Sequence, residues 1–254
     1  RSTLSSSSAA SDVYKRQVKE HAESAKSGEP FFLYLAYTSP HWPLHAHQED
    51  VQKYVGKYKM GWDALREQRL KRQREIGLVD EDWKLSGRSH MAWDEMDEAK
   101  KIEMDLRMAN YAAMIDRMDQ NIGNLVAFLE ETDQLDNTLI MFFSDNGACQ
   151  EGGKLGGRTD PHNLETWERT YGAGPAYGEV WANASNTPFR KFKHYTHEGG
   201  LSTPFIAHWP NGIKAGKESN ATICLTSHYM KDITSLCKRV ICVHNLSLIH
   251  ISEP

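Results

Sequence analysis

Asp145 and Asn146 close the apolar run Leu139-Ile140-Met141-Phe142-Phe143-Ser144 and are followed by Gly147. A carboxylate and an amide carbonyl are hard oxygen donors, suited to calcium or magnesium rather than zinc. An α/β sheet presents its ligands beyond the carboxyl ends of its strands, so a strand ending in this pair is placed as half of a metal site would be. The same three residues also favour a plain turn. A second candidate is His41, bracketed by prolines in Pro40-His41-Trp42-Pro43. An imidazole there can donate to an anionic substrate or simply pack in a loop. The third candidate lies in Phe189-Arg190-Lys191-Phe192-Lys193-His194-Tyr195-Thr196-His197-Glu198-Gly199-Gly200, basic and then glycine-rich. Clustered cations before a turn suggest an anion grip, although such a stretch is equally a solvated surface.

Elements must position these groups, and periodicity predicts them. Phe31-Phe32-Leu33-Tyr34-Leu35-Ala36-Tyr37, entered from Gly28-Glu29-Pro30, has the length and continuous apolar character of a strand covered on both faces, and it delivers the chain to His41. From Met108, the residues Tyr111, Ala112, Ile115, Met118, Ile122, Leu125, Val126 and Leu129 recur at three and four positions, one face of a long helix. Asp136-Asn137 turns that helix into the buried strand that ends at Ser144. A short strand, Pro204 to Ala207, follows later. Helix followed by buried strand predicts an α/β fold with a mostly parallel central sheet. Trp62 to Leu70 alternates in charge with a weak helical period and reads as a solvated surface helix. The Gly-rich, aromatic stretch from Cys149 to Pro188 is too long for a simple connection and reads as a site-lining loop. Its Trp167, Tyr171, Tyr177 and Trp181 would suit stacking on a sugar ring or aryl group, or a packed lid.

Composition is that of an ordinary globular enzyme: 39% hydrophobic, 25% charged and a formal net charge of −4 over 254 residues. Nothing here calls for nucleic acid or an anionic membrane as partner, and no run is long enough to span a bilayer. Cys149, Cys224, Cys237 and Cys242 lack metal-finger spacing. The two ends carry a different message. Asp12-Val13-Tyr14-Lys15-Arg16-Gln17 can be encoded GAT GTG TAT AAG AGA CAG, whose reverse complement translates to Leu246-Ser247-Leu248-Ile249-His250-Ile251. The inverted pair resembles the transposon end of sequencing-library adapters, and engineered scars hold no fold information. Residues 1–17 and 246–254 are accordingly expected to be adapter-derived. Residues 18–245 are expected to be a partial domain, with 234–245 of doubtful reading frame.

Taken in order, these segments resemble the sulfatase family, in particular bacterial-type arylsulfatases of the alkaline phosphatase superfamily. The likeness runs from about Pro30 to Ile213. It is carried by the Phe31 to Tyr37 run with Pro40-His41-Trp42-Pro43, and by Gly61-Trp62-Asp63 with Arg66 and Arg69. It continues through Tyr111-Ala112-Ala113-Met114-Ile115-Asp116-Arg117-Met118-Asp119 with Gly123, and Phe143-Ser144-Asp145-Asn146-Gly147. It ends with Thr187-Pro188-Phe189-Arg190 through Lys193 to Glu198-Gly199-Gly200 and Pro204-Phe205-Ile206.

The resemblance implies an alkaline phosphatase-like α/β fold and a calcium-dependent hydrolysis of sulfate esters. Asp145 and Asn146 would bind the calcium, together with two aspartates that this sequence lacks. Lys193 and His41 would be the catalytic, substrate-binding pair on the sulfate and its leaving oxygen. The family nucleophile is a formylglycine made from a Cys/Ser-x-Pro/Ala-x-Arg motif, which none of the cysteines or serines of this sequence begins. The expectation is therefore a fragment, inactive alone, of a periplasmic or secreted enzyme acting on a sulfated small molecule or polysaccharide. Two alternatives stand beside it: a phosphodiester or phosphonate ester hydrolase of the same superfamily, and a catalytically silent binding module. Asn183-Ala-Ser and Asn220-Ala-Thr also fit glycosylation sequons.

Overall fold

The computed structural model describes residues 30–157 and 175–213, and the backbone of two strands at 240–244 and 247–252. These fall in two units, residues 1–213 and 214–254. In the first, α1 (Gln48–Gln52), α2 (Gly61–Glu75) and α3 (Glu98–Glu131) precede β1 (Ile140–Phe143). Then come α4 (Gly178–Ser185), the single turn α5 (Glu198–Leu201) and β2 (Phe205–His208). In the second, β3 (Val240–His244) and β4 (Ser247–Ser252) pair antiparallel.

The long helix forms as the three-and-four spacing predicts, but it starts ten residues earlier. Asp97 caps it, accepting from the Lys100 amide at 2.7 Å, which satisfies one of the free N–H groups of the first turn. The extra turns were hidden because their buried face includes Asp105 and Arg107 beside Met104 and Met108. Each charge is internally satisfied. Asp105 accepts from the amides of Gly56 and Tyr58 at 2.7 and 2.8 Å, while Arg107 pairs with Glu103 and donates to the Ala176 carbonyl. Burial without such partners would be strongly unfavourable.

Around α3 the core is aromatic. Trp62 of α2, Trp93 and Trp181 of α4 meet edge-on or tilted, with ring centroids 4.9 to 5.9 Å apart. The indoles of Trp62 and Trp181 donate to the carbonyls of Met91 and Met104, so these amphipathic rings sit in the core with no polar cost. This corrects two expectations. Residues 62–70 are helical, but the helix buries Trp62, Arg66 and Leu70 against α4 instead of lying on the surface. Three widely spaced buried residues suffice because Trp62 is held by the tryptophan cluster and the Arg66 guanidinium by Ser86. Trp181 and Tyr177 are packed in the core, so neither offers a stacking face to a ligand. Trp167 and Tyr171 lie outside the described residues. Asn183 is buried on the same helix, which closes its sequon in the folded state.

The strands differ from expectation in pairing and burial. β1 and β2 pair antiparallel, Ile140 opposite His208 and Phe143 opposite Phe205, where the sequence pattern led to a mostly parallel sheet. Residues 31–37 alternate in burial as a strand does but join no ladder among the described residues. Met141, Phe143, Phe205 and Ile206 are exposed. Among the described residues the principal helix contacts are α1 with α3 and α2 with α4, and no helix packs extensively over this strand pair. Among the described residues, no helix is long and apolar enough to cross a membrane.

Candidate functional site

Pro40-His41-Trp42-Pro43 leaves the extended 31–37 segment in a turn closed by the His41 amide on the Thr38 carbonyl. Nδ1 of His41 lies 2.7 Å from the Trp42 carbonyl, which can only accept, so Nδ1 carries the proton and Nε2 presents a lone pair. Facing that lone pair at 3.0 Å is Nζ of Lys193, 152 positions away in sequence. The two residues singled out for anion binding thus meet.

Lys193 reaches this point through its neighbours. Phe192 is buried in the core as an anchor, and the Lys193 amide donates to the Ala148 carbonyl at 3.0 Å. Asn186, just beyond α4, ties the surrounding loops together. Its Oδ1 accepts from the Ala148 amide, and its Nδ2 donates to the carbonyls of Lys191 and Gly199 at 3.1 and 2.7 Å. The glycines of the two motifs are there for close approach. The Gly147 amide donates to the Gly200 carbonyl, and a Cβ on Gly147 would lie 1.7 Å from the Gly199 carbonyl oxygen. A side chain at Gly199 would similarly run into the Lys191 carbonyl at 2.1 Å. Lys191 and His194 on either side of the anchor hold positive φ, a conformation costing non-glycine residues about 1–3 kcal/mol and found where function fixes the backbone.

Asp145 and Asn146 follow β1 after Ser144 and line the same broad cleft as His41 and Lys193, of about 2500 Å³. Asp145 is exposed and Asn146 half-buried, with the Ser144 hydroxyl donating to the Asn146 carbonyl. Their donor chemistry fits a hard cation, but calcium takes about six to eight oxygens, and two side chains supply only part of such a shell. Among the described residues, Asp145 belongs to no cluster of three or more carboxylate, imidazole or thiol ligands.

Beside His41 the structure brings in two residues that sequence reasoning did not single out. Ligand atoms of His41, Cys149 and Glu151 all lie within 4.8 Å of one another. The Cys149 thiol is pushed above its ordinary range chiefly by burial, an effect opposed by the Glu151 backbone amide and strengthened by the Glu151 charge. The only sequence signal was the Cys-x-Glu spacing after Asp145-Asn146-Gly147; its meeting with His41 is a property of the fold.

Residues from separate loops gather where a strand ends, so that two oxygen donors and a lysine–imidazole pair line one cleft of an α/β domain. Within that class the chain belongs to the sulfatase family: the family model Sulfatase matches residues 7–231. Its fold class is the alkaline phosphatase-like α/β one expected. It is 34% identical over 217 residues to an uncharacterized sulfatase of Schizosaccharomyces pombe, covering 80% of this chain and 39% of that protein. It is 31% identical over 226 residues to an arylsulfatase of Klebsiella aerogenes, covering 85% of this chain and 48% of the relative. The chain therefore spans less than half the length of either. Among solved structures it is similar to Ps i-CgsB, crystallised also in complex with k-i-k-neocarrahexaose, with 26% identity, a TM-score of 0.42, and 81% of this chain and 29% of that chain covered.

Proposed function

We propose that this chain carries the sulfate-gripping part of a sulfatase site that hydrolyses sulfate esters, with Lys193 and His41 acting on the ester and Asp145 and Asn146 contributing to a calcium site. The observation that carries this reading is the 3.0 Å approach of Lys193 Nζ to His41 Nε2. An ammonium has three donors. One can stay on the imidazole lone pair while another turns to a sulfate oxygen or to the bridging oxygen, where charge develops as the S–O bond breaks. His41 then orients the lysine, and when protonated at Nε2 it is itself a donor to the anion. Calcium, when bound, would lower the charge around the reacting groups and hold sulfate oxygens. Asp145 and Asn146 would hold it, with further ligands from outside these 254 residues.

The nucleophile is assigned to formylglycine in a part of the protein beyond this chain, since no Cys/Ser-x-Pro/Ala-x-Arg motif occurs in it. The expected substrates are sulfated small molecules or polysaccharides, and the expected compartment is the periplasm or the exterior. Two measurements on the purified chain test this reading. An aryl sulfate should not be turned over, and calorimetric titration with sulfate should show weak binding that Lys193→Met removes. Turnover by the chain alone, or equal sulfate binding by Lys193→Met, would refute it.

A further inference from the structure

We propose that His41, Cys149 and Glu151 form a second cation site in this cleft, one that takes a borderline-soft divalent ion such as Zn2+. Their ligand atoms lie within 4.8 Å of one another. Bond lengths to zinc near 2.0–2.3 Å put neighbouring ligands of a tetrahedral site about 3.5 Å apart, so each pair must close by about 1.3 Å at most. His41 is exposed and the other two are half-buried, so the side chains have room to do so.

Two further observations point to a ligand. Oε2 of Glu151 is buried and has no hydrogen-bond partner among the described residues, a costly state for a carboxylate oxygen that a cation would relieve. Nδ1 of His41 is committed to the Trp42 carbonyl, which leaves Nε2 as the ligand nitrogen; metal-bound imidazoles are commonly oriented by such a bond on their other nitrogen. The donor set of one sulfur, one nitrogen and one oxygen suits zinc, whereas the oxygen pair at Asp145 and Asn146 suits calcium. The two cations are thereby sorted by chemistry within one cleft.

Binding displaces the Cys149 thiol proton to solvent and forms one metal–sulfur bond, with water filling the fourth position. It also requires the lone pair that Lys193 now occupies. Metal and lysine therefore exclude each other at His41 Nε2, and a loaded site separates the pair assigned above to the sulfate. Only this last consequence rests on that assignment.

The test is titration of the full reduced chain with Co2+, following thiolate-to-cobalt charge-transfer absorption, in a C224S/C237S/C242S background and in the unaltered chain. A one-to-one band that Cys149→Ser abolishes in both backgrounds is expected, displaced by Zn2+ and not by excess Ca2+. His41→Gln and Glu151→Gln should each weaken binding roughly tenfold or more. Lys193→Met should tighten it, which a merely damaged fold would not do. No band, a band that survives Cys149→Ser, a Co2+ affinity unchanged by His41→Gln, or weaker binding by Lys193→Met would each overturn the proposal. Loss of sulfate binding in Lys193→Met with tighter Co2+ binding would support both readings; retained sulfate binding with tighter Co2+ binding would sink only the first.

Discussion

Asn186 ties together the loops around Lys193, its side chain spent on backbone groups. Its three side-chain hydrogen bonds join the loop after β1 to the backbone at Lys191 and Gly199, which flank the lysine. At roughly 1 kcal/mol each, their loss in Asn186→Ala should cost about 2–3 kcal/mol. Chemical denaturation should show this as a lower midpoint with an unchanged slope; a midpoint within error of the unaltered chain would contradict the role. That His41 meets Lys193, and shares a cleft with Asp145 and Asn146, follows short motifs whose order matches a known family. Asn186 was not legible in the sequence, nor was the meeting of Cys149 and Glu151 with His41, because those partners are 5 to more than 100 positions away and no spacing rule joins them.

The helices explain what holds that arrangement up. Trp181 of α4 is fully buried between α2, α3 and the turn at Trp93. Truncation to alanine would leave a large cavity and remove the indole's hydrogen bond to the Met104 carbonyl. Trp181→Ala should therefore lose about 3–5 kcal/mol, measured by thermal unfolding. A loss below about 1 kcal/mol would mean that the cluster is not the core described. α1 is tied to α3 by charge as well as by the packing of Val51. Burial alone would raise the Asp50 carboxyl, but hydrogen bonds from Lys53 and Arg117 outweigh it and hold the carboxyl below its ordinary value of 3.8. Asp116 is held low as well, first by Gln120 and then, against some desolvation, by Lys53 and Tyr54. A depressed folded-state value stabilises above the unfolded value and stops doing so as pH falls through the folded one. The melting temperature should thus drop below about pH 4, and Asp50→Asn should be less stable at neutral pH with a flatter acid limb. Identical acid limbs would contradict this. The period of α3 was legible from Met108 onward, while Asp105 and Arg107 masked its start because periodicity weighs only apolar residues. Residues 178–185, rich in small side chains and only eight long, carried no period long enough to read.

At the level of the molecule, the family assignment rests on a match over most of the chain, while the chain spans under half of either relative described above. The α/β class was legible from helix followed by apolar strand. The pairing of the strands was not, because sequence gives a strand's character but not its neighbour: β1 pairs antiparallel with β2, and residues 31–37 join no ladder among the described residues. The proposed sulfatase function turns on Lys193 gripping the sulfate ester during its hydrolysis. The direct measurement is aryl sulfate hydrolysis by the complete gene product, carrying either lysine or methionine at position 193. Turnover by the unaltered protein is expected, with a drop in kcat of about 10²–10³-fold in Lys193→Met, the size expected for losing one donor to developing charge. Equal rates for the two proteins, or hydrolysis of phosphodiesters with none of sulfate esters, would contradict it.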